Sequence, residues 1–186
     1  TYVFYEAEEV AAEFNGLKKI FAERPDLLQA DVALLGEPTD GIVEAGCQGT
    51  MRLEVVLHGR RAHTARPWMG RNAIHRLGEL LAILDGWPGR EPVVEGCRFR
   101  EAIQAVKVEG GVAGNVVPDR VSVIINHRFA PDRTSDEAVA FVMSLLAPVL
   151  EEGDTVAVLD LADAAAPGLD HPILRTLVER HSLEVK

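Results

Sequence analysis

From Thr50 to Gly59 the chain reads TMRLEVVLHG, with Met51, Leu53, Val55 and Leu57 on one parity and Arg52, Glu54 and His58 on the other. Alternation of this kind describes a half-buried strand with one wet face. A stripe at helical spacing follows from about 71 to 85, where Ile74, Leu77, Leu80, Leu81 and Leu84 share one side. AIQAVKV and RVSVIINHRF predict two more strands, separated by the glycine-rich loop EGGVAGNVVPD. TSDE, Thr134 to Glu137, is a capping box. It opens a helix bearing Val139, Val142, Leu145, Leu146 and Val149, which Pro148 is expected to kink or shorten. DTVAVLDL supplies a last strand. The order β-α-β-β-α-β predicts a ferredoxin-like unit with both helices on one sheet face.

Upstream, TYVFY predicts a short strand, NGLKKIFAERPDLL a helix as far as Pro25, and ADVALLG a buried strand stopped by Gly36 and Pro38. Strand, helix, strand in that order is an α/β pattern with a parallel sheet. Downstream, ADAAAPGLDHP reads as a linker and HPILRTLVERH as the start of another helix. We therefore expect a ferredoxin-like lid at 48–161 inserted into an α/β domain represented by 1–47 and 162–186. An opening inside a strand and an end in a helix leading toward a strand predict a piece of a larger protein.

Composition narrows the partners. The 186 residues suffice for one ordinary domain, or one small domain and part of another, and 47% hydrophobic content suits a real core. The net charge of −10 argues against nucleic acid or an anionic membrane as partner. No apolar run approaches the roughly 18 residues of a membrane span, and no signal peptide is visible. Cys47 and Cys97 form neither a disulfide framework nor a zinc-binding pair, so a reduced, cytoplasmic setting is expected.

Five segments could carry chemistry. Glu8 and Glu9 close the first predicted strand, at the edge where open α/β sheets place their ligands. On an extended chain the two carboxylates point different ways, so one could hold a cation while the other serves as a general base. A solvated acidic turn is the bland alternative. Glu37, in LLGEPTD, follows the second predicted strand, and Pro38 restricts its backbone to extended forms. His63, in GRRAHTARPWMG, sits in a loop with Arg60, Arg61 and Arg66, a setting suited to a developing oxyanion. Asn115 lies in a loop whose glycines let backbone approach a ligand. Arg128 shares a strand face with Ser122 and Asn126, opposite Val121, Val123 and Ile125, and could grip a carboxylate or simply face water. His58, His75, His127, His171 and His181 have no such setting and are assigned no role.

EAEEV, LLGEPT, GCQGT, HTARPW, GGVAGNVVP and NHRFAPD occur here in the order seen in the co-catalytic zinc peptidase family of aminoacylases, glutamate carboxypeptidases and deacylases. The chain resembles that family through essentially its whole length, most specifically in HTARPW with GNVVPD. The resemblance implies an α/β catalytic domain with an inserted ferredoxin-like lid that forms a homodimer. It implies that Glu8 is the general base, that Glu9 and Glu37 each bind one of two Zn²⁺ ions, and that His63 reaches the partner's site to stabilise the tetrahedral intermediate. Asn115 and Arg128 match substrate-binding residues. Co²⁺ or Mn²⁺ could replace zinc in such sites.

The implied reaction is hydrolysis of the small molecule N-succinyl-LL-2,6-diaminopimelate to succinate and LL-2,6-diaminopimelate, toward lysine and cell-wall diaminopimelate. A sibling deacylase acting on acetylornithine or another acyl amino acid is one alternative, and a non-catalytic ferredoxin-like dimerisation module is another. The resemblance also places a His-x-Asp segment and a bridging aspartate upstream of residue 1, and a last histidine ligand beyond residue 186. The isolated chain is accordingly expected to bind zinc weakly and to hydrolyse nothing.

Overall fold

In the computed structural model, which describes residues 2–8 and 13–186, the chain forms two compact units, 1–38 and 39–186. The first is built around α1 (Gly16–Glu23). The Asn15 carboxamide oxygen accepts from Leu17 N (2.9 Å) and Lys18 N (3.2 Å), which caps the helix. Pro25 ends it, and Pro25–Leu28 continue as a 3-10 turn. The Gly16 N–H donates to the Glu6 carbonyl at 2.9 Å, and a Cβ at residue 16 would lie 2.8 Å from that oxygen. Only glycine lets α1 start this close to the segment that carries Glu8.

The strands expected at 1–5 and 30–36 do not form among the described residues. Neither stretch has a ladder partner, and a parallel strand exists only through its neighbours' hydrogen bonds. Their apolar side chains, among them Tyr2, Phe4, Leu34 and Leu35, stay exposed.

The second unit holds the predicted alternation. Its strands and helices are β1 (Gly49–His58), β2 (Ala62–His63), α2 (Ala73–Gly86), β3 (Val93–Val94), β4 (Cys97–Arg98), β5 (Ala102–Gly110), β6 (Val116–Val117), β7 (Arg120–Phe129), α3 (Ser135–Leu146), β8 (Thr155–Ala162) and α4 (Pro172–His181). The main sheet is antiparallel with order β5-β7-β1-β8, the ferredoxin-like arrangement. Met51, Leu53, Val55 and Leu57 of β1 and Val121, Val123 and Ile125 of β7 fill its inner face. Leu77, Leu80 and Leu84 of α2 and Ala138, Val142 and Leu146 of α3 cover that face. The capping box at Thr134 and Glu137 is complete in both directions, and α3 stops two residues before Pro148.

The core-facing arc of α2 is narrower than its sequence stripe. Asn72 caps the helix, so it begins at Ala73, and Ile74 and Leu81 fall outside the arc at 38% exposure each. A hairpin unmarked by periodicity, β3 to β4, turns through Glu95 and Gly96, both at positive φ. With Ala45, Phe99 and Ala130 it builds a second small core around Cys97.

His127, given no role above, is fully buried on the inner face of β7. Its Nδ1 lies 2.9 Å from the Ala102 carbonyl, and Trp87, Phe129 and Phe141 wall the ring. A carbonyl can only accept, so the proton sits on Nδ1, and among the described residues Nε2 has no partner. Burial pushes this imidazole's pKa down.

Candidate functional site

The segment that follows β1 is an arm built from backbone. Gly59 N donates to Asp119 O (2.8 Å), and Arg60 and Arg71 exchange N–H···O bonds at 2.8 Å in both directions. Two glycines permit this closeness. A Cβ on Gly59 would stand 2.1 Å from the Arg71 carbonyl oxygen, and one on Gly70 would stand 2.6 Å from that of Arg60. Beyond this neck β2 pairs with β6, Ala62 opposite Val117 and His63 opposite Val116. Thr64 N then donates to the Asn115 carbonyl at 3.0 Å. His63 and Asn115, some fifty positions apart in sequence, are therefore held on one arm.

The arm is anchored from below by a buried ion pair. Asp154 accepts from Arg76 Nη1 and Nη2 (2.8 and 2.7 Å), from His58 N (2.8 Å) and from Glu151 N (2.9 Å). Arg76 also donates to the His58 and Val149 carbonyls. Burial alone would raise the Asp154 pKa, but Arg76 and the two backbone N–H groups outweigh it and hold the carboxyl below its ordinary value. An open cleft of about 410 Å³ beside the neck is lined by His58, Arg60, Arg71, Arg76, Glu151 and Glu152. Arg71 is paired there with Glu151.

His63 is exposed, and its chemistry is set locally. Ala65 N donates to its Nδ1 at 3.0 Å. An acceptor at Nδ1 places the proton of the neutral ring on Nε2, so the side chain offers an N–H donor outward. That is the form able to donate to a carbonyl oxygen as it gains negative charge.

Arg128 lies elsewhere. It is exposed on the outer face of β7, opposite Thr50 of β1 and Ala102 of β5. The arm adjoins the other end of the sheet, where His58 pairs with Arg120. Eight residues of strand separate Arg120 from Arg128, roughly 27 Å. Within one copy of the second unit, the structure brings His63 and Asn115 together and keeps Arg128 apart from them.

Glu8 and Glu37 are both exposed. Glu8 follows Ala7, whose φ of 60° lies in the left-handed region. Glu9, expected as a metal ligand, lies outside the described residues. Among the described residues no three His, Cys, Asp or Glu side chains converge on one point. A zinc centre needs three or four such ligands, so these residues do not form one by themselves.

Sequence reasoning missed the anchoring role of Arg76 and Asp154. No local signal marks it, because the partners are 78 positions apart. Strand parity did carry a signal for His127. If Arg128 faces outward with Asn126, residue 127 must face the core with Val121, Val123 and Ile125.

Residues 46–154 match the family described as peptidase dimerisation domain. Among curated relatives, a protein of Mycobacterium tuberculosis that carries a succinyl-diaminopimelate desuccinylase name is 48% identical over 188 residues. That alignment covers 100% of this chain and 52% of the relative. The succinyl-diaminopimelate desuccinylase of Corynebacterium glutamicum is 44% identical over 179 residues, covering 96% of this chain and 48% of that protein. The chain thus spans about half the length of the curated relatives it matches. Two crystal structures share its fold at low identity. A Staphylococcus aureus tripeptidase gives a TM-score of 0.63 at 17% identity, over 91% of this chain and 46% of that one. An M20 family metallo-carboxypeptidase from Sulfolobus solfataricus gives 0.62 at 13%, over 91% and 52%.

Proposed function

Because the chain belongs to the peptidase dimerisation domain family, we propose that it forms the lid and part of the catalytic domain of a metal-dependent amidohydrolase. The substrate in this reading is N-succinyl-LL-2,6-diaminopimelate, cleaved to succinate and LL-2,6-diaminopimelate toward lysine and cell-wall synthesis, in a cytoplasmic setting. The substrate follows the names of relatives 44% and 48% identical to the chain. The observation that carries the chemistry is the Ala65 N–H bonded to Nδ1 of His63, which leaves the neutral ring's proton to Nε2, on an arm that Thr64 N joins to the Asn115 carbonyl.

Each residue has a task it can perform. Glu8 takes a proton from the attacking water and returns it to the departing amine. His63 donates to the oxygen of the tetrahedral intermediate, Asn115 binds substrate beside it, and Arg128 takes a substrate carboxylate. Glu9 and Glu37 are assigned one ligand each to two metal ions, zinc in this reading, with Co²⁺ or Mn²⁺ as substitutes. The described residues do not complete the ligand set of those ions. For the same reason the 186-residue chain alone is expected to hold zinc weakly and to turn over no substrate.

The lid is proposed to form a homodimer in which His63 serves the partner's site. The separation of the arm from Arg128 along β7 supports this, because one small substrate cannot span both ends of a sheet. The dimer surface assigned is the free edge of β5, with exposed Val106 and Val108, together with Ile74 and Leu81 on α2. An edge strand flanked by apolar side chains gains hydrogen bonds and buried area from a second copy.

Mixing two inactive variants of the full-length protein that carries this chain tests the reading. Glu8→Gln and His63→Ala are each expected to abolish turnover. Random pairing should restore about a quarter of wild-type activity, because half the dimers contain one site with both residues intact. Mixtures that stay inactive would overturn the assignment of His63 to the partner's site.

A further inference from the structure

Fifteen arginines face 29 carboxylates in this acidic chain, and nearly all of them are engaged. Among the described residues, twelve reach a carboxylate or a backbone carbonyl through the side chain. Arg66, Arg128 and Arg180 do not. Arg180 lies on α4, outside the matched segment. The two uncommitted arginines of the lid are therefore Arg128, already assigned to a substrate carboxylate, and Arg66.

Arg66 sits where a second carboxylate would need it. Its N–H donates to the His63 carbonyl at 2.8 Å, and Pro67 starts a 3-10 turn in which Met69 N donates back to the Arg66 carbonyl at 3.1 Å. The root of the side chain is thus fixed three residues from His63, on the same arm. Positions 55 to 78 contain five arginines and no Asp or Glu. The other four are spent: Arg60 on the Met69 carbonyl, Arg61 on Asp119, Arg71 on Glu151 and Arg76 on Asp154. Leaving a guanidinium unpaired in a chain of charge −10 is the exception here, and an incoming anion is the partner its chemistry fits.

We propose that Arg66 is a specificity-determining residue that binds the terminal carboxylate of a dicarboxylic acyl group while His63 faces the scissile carbonyl. This rests on the amidohydrolase reading above. In a succinyl amide the carboxylate stands three carbon–carbon bonds from the carbonyl carbon, close enough for residues of one arm to meet both. N-Succinyl-diaminopimelate is anionic at both ends. Arg128 from one copy and Arg66 from the other grip the amino-acid and acyl halves respectively.

The test compares kcat/KM of the full-length protein on N-succinyl- and N-acetyl-LL-2,6-diaminopimelate, which differ only in the acyl group. Arg66→Ala should lower the succinyl-over-acetyl preference by about 30-fold or more, mainly through KM. Inhibition by free succinate should weaken in parallel, and Arg66→Lys should recover part of the preference. Equal losses on both substrates, or none, would overturn the assignment. A wild-type protein that hydrolyses neither substrate sinks the amidohydrolase reading itself and Arg66's role with it. Unchanged melting temperatures of the variants exclude a folding defect as the cause.

Discussion

The Ala65 N–H donates to Nδ1 of His63 at 3.0 Å, and this contact decides which nitrogen of the imidazole presents a proton to the outside. The prediction is spectroscopic. In long-range ¹H–¹⁵N spectra of the neutral ring, Nε2 should be protonated and Nδ1 bare. A majority Nδ1–H form would overturn this assignment of the proton, and with it the donor role proposed for His63. Replacing Ala65 by Pro deletes the N–H and should leave a mixture of both forms.

Gly59 is required for space rather than for its torsion angles. A methyl group there meets the Arg71 carbonyl oxygen at 2.1 Å and Ala73 N at 2.9 Å, both backbone atoms that cannot turn aside. Gly59→Ala should cost about 2 kcal/mol in urea unfolding. In the full-length protein it should lower turnover more than that loss explains, because the neck that aims His63 is displaced. A variant that is destabilised but fully active would separate the arm from the reaction.

Asp154→Ala leaves Arg76 buried without its carboxylate and frees the His58 and Glu151 N–H groups. Removing one partner of a buried pair is expected to cost about 3 kcal/mol or more. The double variant Arg76→Leu with Asp154→Leu should be less destabilised than Asp154→Ala alone. If the two prove equal, the charge left behind is not the source of the cost.

Stability should fall on mild acidification because of His127. Its folded-state pKa lies below the ordinary value of 6.5, chiefly through burial. The facing charges are Glu101, which opposes that shift, and Arg133 and Arg90, which add to it. The unfolded chain therefore takes up a proton first, and the contribution is complete above about pH 6.5 and lost as pH falls below it. The carboxylates held low, Asp154 and Glu101, act in a more acidic window. Urea midpoints measured from pH 7.5 to pH 5 should decline for the wild type and stay flatter for His127→Phe. Parallel curves for the two would exclude His127 as the titrating group.

Much of the ferredoxin-like unit was legible because its elements are amphipathic and carry their own stop signals. Met51 to Leu57 alternate against one covered face, Thr134 and Glu137 cap α3 from within four residues, and Pro148 ends it. The runs 1–5 and 30–36 misled for the opposite reason. Apolar content predicts burial, but a strand needs partners, and none of the described residues pairs with them. Ile74 and Leu81 fit the helical period of α2, yet the sheet beneath covers only the arc of Ala73, Leu77, Leu80 and Leu84.

What the sequence by itself determined is the order and type of the ferredoxin-like unit's main elements, the chain's acidic charge and the presence of His63, Asn115 and Arg128, since periodicity and composition are local properties. Tertiary structure decided which of them lie together. The β2–β6 pairing and the Thr64–Asn115 bond join two loops some fifty residues apart, while the length of β7 holds Arg128 at the far end of the sheet. The commitment of neighbouring arginines to Asp119, Glu151 and Asp154, which sets Arg66 apart, likewise arises only once distant strands and turns are packed. Pairing and distance follow from how the chain returns upon itself, and no window of sequence contains them.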